Sequence, residues 1–82
     1  MTFSKEDTAQ KVIAIIADRL NRSKDTITPE LTFKQLGADS LDIADITMGF
    51  EDAFGIEIND QDAERIKTVQ EAIDLIQQAR TK

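Results

Sequence analysis

The chain has 82 residues and a net charge of −6, and it contains neither cysteine nor histidine. It therefore cannot form a disulfide, a Ser-His-Asp triad or a metal site built on thiolate or imidazole ligands, which argues against an enzyme. Its length suits one small domain with a modest core. The chain has no apolar run of about 18 residues, and its start lacks a basic segment followed by an apolar one. We therefore expect a cytoplasmic protein without a membrane span.

The acidic residues are concentrated in the middle of the chain. Residues 35–64 hold nine acids and no lysine or arginine, whereas the rest of the chain holds all ten bases and seven acids. We call residues 35–64 the acidic block. Such a block repels nucleic acid and anionic membranes, and it favours basic protein surfaces through electrostatic steering. The alternative is that these acids only keep a small domain solvated.

The first predicted element is a helix over residues 4–20, after a frayed start at residues 1–3. Ser4 followed by Asp7 is the pattern of a helix N-cap. Apolar residues then recur in steps of three and four, which is typical of a helix with one buried face. This stripe consists of Ala9, Val12, Ile13, Ile16, Ala17 and Leu20, with Ile15 beside it.

Residues 21–38 are predicted to form a long connection, because Pro29 and a cluster of short polar residues interrupt any helix. Thr32 and Gln35 could cap a single helical turn that Gly37 ends. We expect four apolar residues to fix the connection to the core, namely Ile27, Leu31, Phe33 and Leu36.

The second predicted helix covers residues 40–54 and begins within the stretch Gly37-Ala38-Asp39-Ser40-Leu41-Asp42. Asp39 is a good N-cap, and Asp42 three residues later completes a pattern like a capping box. Ser40 is then the first helical residue, where free N–H groups and the positive end of the helix dipole favour a phosphate. The same residues would serve equally well as an ordinary helix start.

This helix carries apolar residues on two faces. The face expected to point inward holds Ile43, Ile46, Thr47, Phe50 and Phe54. The second face holds Leu41, Ala44 and Met48, interleaved with Asp42, Asp45, Glu51 and Asp52. Either the helix is deeply buried, or the second face is an exposed docking strip with an acidic rim. In a chain with so small a core, we favour the docking strip.

Two shorter helices are predicted to follow. Gly55 ends the second helix, and Asn59 or Asp60 caps a third helix that reaches about Ile66. Thr68 and Glu71 form a capping box for the last helix. The inner stripe of that helix is Val69, Ala72, Ile73 and Ile76, with Leu75 beside it. Residues 77–82 are polar and are predicted to fray.

Four acids match part of a calcium-loop template, in which carboxylates recur at fixed positions. They are Asp60, Asp62, Glu64 and Glu71. Arg65 occupies the position where that loop needs a glycine, and the predicted helix start at Thr68 falls inside it. We therefore expect no metal site here.

The stretch around Ser40 resembles the attachment motif of acyl carrier proteins, in which a serine carries 4′-phosphopantetheine through a phosphodiester. The resemblance continues through Phe54-Gly55-Ile56-Glu57-Ile58 and Thr68-Val69-Gln70-Glu71-Ala72-Ile73, and it covers nearly the whole chain. It implies an all-α fold, a small four-helix bundle with three main helices and a short third helix. It also implies a long loop between the first two helices, and a single acyl-carrier domain over residues 1–82.

The resemblance further implies a function. The protein would carry growing acyl chains as thioesters on a phosphopantetheine arm at Ser40, for fatty acid biosynthesis, without being an enzyme itself. Expected partners are a phosphopantetheinyl transferase and fatty-acid synthesis enzymes with basic docking surfaces, and the carrier is expected to be a monomer. The docking face would comprise Asp39, Leu41, Asp42, Ala44, Asp45, Met48, Glu51 and Asp52. An acyl pocket would be lined by Ile46, Thr47, Phe50, Phe54, Ile66 and Ile73.

The chain also departs from the pattern of common fatty-acid carriers. The departures are Asp45, Thr47, Gly49 and Phe50, where those carriers have Glu, Val, Ala and Leu, and Asn59, where Pro is common. Phe50 adds volume and Thr47 adds a hydroxyl, so we hypothesise that short or polar acyl groups are sheltered less deeply than usual. One alternative is a dedicated carrier for polyketide, peptide or D-alanyl-lipoteichoic acid assembly. The other, from a different class, is an unmodified acidic helical adaptor.

Overall fold

The computed structural model describes residues 4–81, which form an all-α bundle. Its helices are α1 (Lys5–Leu20), α2 (Ser40–Phe54), α3 (Asp60–Arg65) and α4 (Val69–Arg80), with a short 3₁₀ helix at Lys24–Thr26. The predicted four helices, the short third helix and the long first connection are confirmed. The 3₁₀ helix was not predicted. The predicted frayed start at residues 1–3 and the end of the chain at Lys82 lie outside the described residues.

Helix α1 begins and packs as its sequence predicts. The hydroxyl of Ser4 accepts a hydrogen bond of 3.0 Å from the backbone N–H of Asp7. Val12 and Ile16 are fully buried, as predicted. Thr8 is fully buried as well, although it is not part of the predicted apolar stripe. Asn21 ends the helix in the left-handed region, with φ of 56°.

Helix α4 packs antiparallel to α1 and supplies the centre of the core. Its predicted inner stripe, Val69, Ala72, Ile73 and Ile76, is buried throughout. The ammonium of Lys5 on α1 lies 2.8 Å from a carboxylate oxygen of Asp74 on α4. The hydrogen bond from Lys5 lowers the pKa of Asp74 below its usual 3.8, although desolvation acts in the opposite direction.

The connection between α1 and α2 is fixed to the core by its apolar residues. Ile27, Phe33 and Leu36 are buried, and Leu31 is half-buried against them. The side chains of Thr32 and Gln35 cap one turn reciprocally, since each accepts the backbone N–H of the other at 3.0 and 2.9 Å. The predicted single turn is therefore confirmed.

This connection is also bonded to the segment between α3 and α4. Thr32 and Thr68 form an isolated antiparallel bridge. Next to it, the N–H of Phe33 donates to the carbonyl of Lys67 at 3.0 Å, and the N–H of Val69 donates to that of Leu31 at 3.0 Å. These bonds satisfy backbone groups that a long loop would otherwise leave unpaired.

Helix α2 lies against α1 at Gly49. A Cβ atom at this position would come within 3.1 Å of Cγ2 of Ile15 and 3.2 Å of the Arg19 guanidinium. Glycine lowers helix propensity by about 1 kcal/mol relative to alanine. Here it permits the close approach of two helices, because the nearest neighbours of Gly49 are Ile15 and Arg19 of α1.

The predicted fraying of residues 77–82 is wrong for residues 77–80. Helix α4 continues to Arg80, whose side chain is only 7% exposed. Its guanidinium lies 4.9 Å from the ring centre of Phe54 and donates hydrogen bonds to Asp7 at 3.2 Å and to Thr8 at 3.0 Å. The Thr8 hydroxyl in turn donates to the side-chain carbonyl of Gln77. We call these five residues the Arg80 cluster.

Candidate functional site

Ser40 is the first residue of α2 and is exposed to solvent. The capping box predicted around it is present, because Asp39 accepts the N–H of Asp42 at 2.9 Å and Asp42 accepts that of Asp39 at 3.1 Å. Gly37 precedes the box with φ of +79°, a conformation that residues with a Cβ rarely adopt. The hydroxyl of Ser40 therefore stands at a fixed point, at the positive end of a fifteen-residue helix.

The second apolar face of α2 is exposed, as the docking-strip interpretation requires. Leu41 is 80% exposed and Met48 is 59% exposed. Ala44 lies between them and is also exposed. Large apolar side chains at this exposure, next to one another on a helix, are typical of a contact surface. We call Leu41, Ala44 and Met48 the apolar strip.

The acids beside the strip differ in their local roles. Asp45 pairs with Arg19 of α1 at 2.7 Å. Glu51 accepts the backbone N–H of Ile58 at 3.0 Å and so holds the turn after α2, a role that its spacing in the sequence did not reveal. Asp52 is exposed, and within the described residues it forms neither an ion pair nor a capping hydrogen bond. Asp39 and Asp42 are engaged in the capping box.

The predicted acyl-pocket residues lie on the inner side of α2 and against it. Ile46, Phe50 and Ile73 are each 1% exposed, and Ile66 is 5% exposed. Thr47 is 8% exposed, and its hydroxyl donates to the carbonyl of Ile43 at 2.8 Å, which satisfies it within its own helix. Phe54 is half-buried beneath the Arg80 guanidinium. These six residues belong to the packed interior, and their role as a pocket remains a prediction.

An open groove of about 1200 Å³ lies directly beside Ser40. It runs between the start of α2, the capped turn of the first connection, and α3 with the segment that follows it. Its apolar lining consists of Phe33, Ala38, Ile43, Ala44, Ala63 and Ile66. Its polar lining consists of Thr32, Lys34, Ser40, Asp60, Gln61, Glu64, Arg65 and Lys67. Of the predicted pocket residues, Ile66 lines this groove. The groove was not predicted, because it is formed by segments far apart in the sequence.

The geometry gives no calcium loop at residues 60–71. Asp60 begins α3, with Asn59 accepting the N–H of Asp62 at 2.8 Å as the helix cap. The carboxylate of Glu71 accepts the N–H of Thr68 at 3.0 Å in the predicted capping box of α4. Within residues 4–81, no cluster of three acids is placed to hold a metal ion. In the same range, none of the helices is both long and apolar enough to cross a membrane.

Comparison with known proteins places this arrangement in a family. A family pattern described as a phosphopantetheine attachment site matches residues 10–76. An acyl carrier protein of Rubrobacter xylanophilus is 45% identical over 80 residues, which is 96% of this chain and 99% of that protein. An acyl carrier protein of Thermosynechococcus vestitus is 42% identical over 75 residues, covering 90% of this chain and 93% of the relative.

Solved structures give the same result for the fold. The acyl carrier protein of Thermotoga maritima superposes with a TM-score of 0.79 at 32% identity, covering 92% of this chain and 88% of that one. That of Enterococcus faecalis gives a TM-score of 0.75 at 40% identity, over 96% and 99% of the two chains. The chain belongs to the acyl carrier protein family, whose covalent cofactor is 4′-phosphopantetheine.

Proposed function

We propose that the hydroxyl of Ser40 is the attachment point of 4′-phosphopantetheine and that the protein carries acyl groups for fatty acid biosynthesis. The observation that carries this proposal is the position of Ser40, exposed at the capped start of α2, between the apolar strip and an open groove. When attached, the arm supplies a terminal thiol that holds an acyl group as a thioester. The chain, which has no cysteine, then acts as a tether and not as a catalyst.

The residues around Ser40 fit a phosphate attached to its hydroxyl. The dipole of α2 favours a negative charge at this end of the helix. The capping box binds the backbone N–H groups of Asp39 and Asp42 to carboxylate oxygens. It therefore fixes the backbone on both sides of Ser40. The exposed position of Ser40 leaves an attached arm open to solvent, where a partner can reach it.

The exposed face of α2 supports docking to basic partner enzymes. Leu41 and Met48 offer apolar contact at the centre, and the acidic block surrounds them with negative charge. Complementary charge increases the rate of encounter more than the final affinity. We infer that a phosphopantetheinyl transferase and fatty-acid synthesis enzymes bind this face. Tethering then raises the effective concentration of the acyl group at each active site.

The proposal includes a cytoplasmic monomer in which residues 1–82 act as one acyl-carrier domain. A dedicated carrier for polyketide, peptide or D-alanyl transfer is the second candidate. It is favoured by the aromatic ring of Phe50, which is 1% exposed and fills space on the inner side of α2. The acyl species bound to the protein when it is purified from its own cells would separate the two candidates.

Intact mass after co-expression with a phosphopantetheinyl transferase tests the attachment. We expect one added phosphopantetheine on the unchanged chain and none on Ser40→Ala, because the variant lacks the oxygen that forms the phosphodiester. The exposed position of Ser40 predicts similar melting temperatures for both proteins. An unmodified wild-type chain would favour the helical adaptor, and a modified Ser40→Ala variant would refute Ser40 as the site.

A further inference from the structure

Three bases lie beside Ser40, on the side away from the large side chains of the apolar strip. Lys34 is the last base before the acidic block and Arg65 is the first base after it. The fold brings both to the same side of Ser40, together with Lys67. All three side chains are exposed, and none forms an ion pair with an acid of the described residues 4–81. We call these three residues the basic rim.

The backbone holds the basic rim in place. The N–H of Phe33 donates to the carbonyl of Lys67 at 3.0 Å, beside the antiparallel bridge between Thr32 and Thr68. Lys34 and Lys67 therefore extend from two adjacent, mutually bonded segments. The reciprocal cap of the following turn fixes the connection that carries Lys34. The bases of the rim thus start from an ordered backbone, which keeps their positions relative to Ser40 constant.

The two sides of Ser40 differ in the sign of their charge. The docking face of α2 holds five acids, and the one base paired with them in residues 4–81 is Arg19, which lies 2.7 Å from Asp45. The other side holds the three bases of the rim and two acids, Asp60 and Glu64. The α2 side is therefore strongly negative and the rim side slightly positive, with Ser40 at the border.

This change of sign restricts how an enzyme can approach Ser40. A partner that acts on an arm at Ser40 has to place the entrance of its active site over this residue, so its surface meets both sides. A uniformly basic surface attracts the docking face but meets like charge at the rim, which opposes binding. A surface with bases on one side of the entrance and acids on the other is attracted at both sides, and only in one of two orientations related by half a turn.

We propose that the basic rim is a second docking surface, which pairs with an acidic patch beside the active-site entrance of the partner enzyme. The inference rests on the proposed function, because the partner covers the rim only when it reaches for an arm on Ser40. It goes further by stating a property of the partner, an entrance with oppositely charged sides, and by giving the carrier a means of fixing the partner's orientation. The three bases form no ion pair within the described fold, which leaves them available for this contact.

The test measures the Kd for a phosphopantetheinyl transferase at low ionic strength with two triple variants. Changing Lys34, Arg65 and Lys67 to Gln should raise the Kd about three- to tenfold, in line with the loss of a few exposed ion pairs. Changing Lys11, Arg22 and Lys24 to Gln alters the net charge equally. It should leave the Kd unchanged or lower it, because a more negative chain is attracted more strongly to a basic surface. The two variants are thus expected to shift the Kd in different directions, and high salt should remove the difference.

The rim can also be probed without substitution, by the reaction of lysines with an acetylating reagent. We expect the transferase to protect Lys34 and Lys67 and to leave Lys24 reactive. Because the bases of the rim are exposed, their substitution should leave the melting temperature close to that of the unchanged chain.

The possible failures can be told apart. A rim variant that binds as tightly as the control variant would overturn the inference, and so would acetylation of Lys34 and Lys67 at the same rate with and without the transferase. Both results leave the proposed function standing if Ser40 is modified. A transferase that leaves the unchanged chain unmodified refutes the proposed function itself.

Discussion

The two ends of α2 are built in contrasting ways. At its start, Ser40 is exposed beside an open groove, and the adjacent α3 has only six residues. At its end, the ring of Phe54 lies under the Arg80 guanidinium, which is bonded to Asp7 and Thr8 of α1. We call these the open end and the closed end of the bundle.

The contrast places the proposed attachment point at one end of α2 and the contacts that fasten the helices at the other. The closed end joins the start of α1 to the ends of α2 and α4 through one buried cation. The open end relies on caps, a single antiparallel bridge and turns, which constrain the backbone without filling the groove. A small domain can therefore present an accessible serine at one end because the helices are fixed at the other.

The largest effect is expected from breaking the closed end with Arg80→Met. The variant loses the hydrogen bonds that a buried cation donates to Asp7 and Thr8, and its contact with the Phe54 ring, while its apolar stem is largely kept. We expect a loss of about 2–3 kcal/mol in the free energy of unfolding, measured by urea denaturation. For a domain of this size, each kcal/mol lowers the melting temperature by about 4–8 °C.

Arg22→Met is the matched control, because Arg22 is an exposed base in the first connection. It should change the unfolding free energy by less than about 0.5 kcal/mol. Transfer of phosphopantetheine to Ser40 should proceed at the wild-type rate in folded Arg80→Met. If Arg80→Met is as stable as the control, the Arg80 cluster does not fasten the closed end.

A smaller effect is expected from two glycines, one at each end of α2. Gly37 has φ of +79° and Gly55 has φ of +65°, and alanine at either position is strained by about 1 kcal/mol. Urea denaturation should show similar losses for Gly37→Ala and Gly55→Ala. Only Gly37→Ala should slow modification by the transferase, since relief of its strain shifts the turn that positions Ser40. Equal modification rates would mean that the open end tolerates such a shift.

The caps of the fold could be predicted because each depends on residues three apart. The hydrogen bonds that this spacing indicates are present between Ser4 and Asp7, between Asp39 and Asp42, and between Thr68 and Glu71. The inner stripe of α4 could be predicted for a similar reason, since helical periodicity is local. The family could be recognised for the same reason, because the residues around Ser40 that resemble its attachment motif are adjacent in the sequence.

The features that could not be predicted depend on distant pairs. Arg80 and Thr8 are separated by 72 positions, and a base near a chain end is ordinarily solvated. Lys34 and Lys67 become neighbours only through the bridge between Thr32 and Thr68. Local patterns contain no information about which distant segments will meet, so both the Arg80 cluster and the groove required the three-dimensional structure.

The proposed docking face of α2, which runs from the open end toward the closed end, can be tested by reversing one charge. Asp52 is exposed and lies outside the caps and ion pairs described above, so Asp52→Lys changes charge with little change in structure. We expect association with a phosphopantetheinyl transferase to slow about two- to threefold at low ionic strength, and the difference to vanish at high salt. Stopped-flow measurements give the association rate at low ionic strength and at high salt. Glu30→Lys makes the same charge change outside the acidic block and should have a smaller effect; equal slowing would indicate that net charge alone matters.

The smallest effect is expected from the exposed ion pair between Lys5 and Asp74, which joins α1 to α4 toward the closed end. The hydrogen bond from Lys5 lowers the pKa of Asp74 below 3.8, so the unfolded chain binds the proton more readily than the folded one. Stability from this pair is therefore present above that pKa and is lost as the pH falls through the lower, folded value. Because both side chains are exposed, Lys5→Met should remove no more than about 0.5 kcal/mol at neutral pH. Urea denaturation well below pH 3.8 should bring wild type and variant together; a difference that persists in acid would show that Lys5 acts through packing and not through charge.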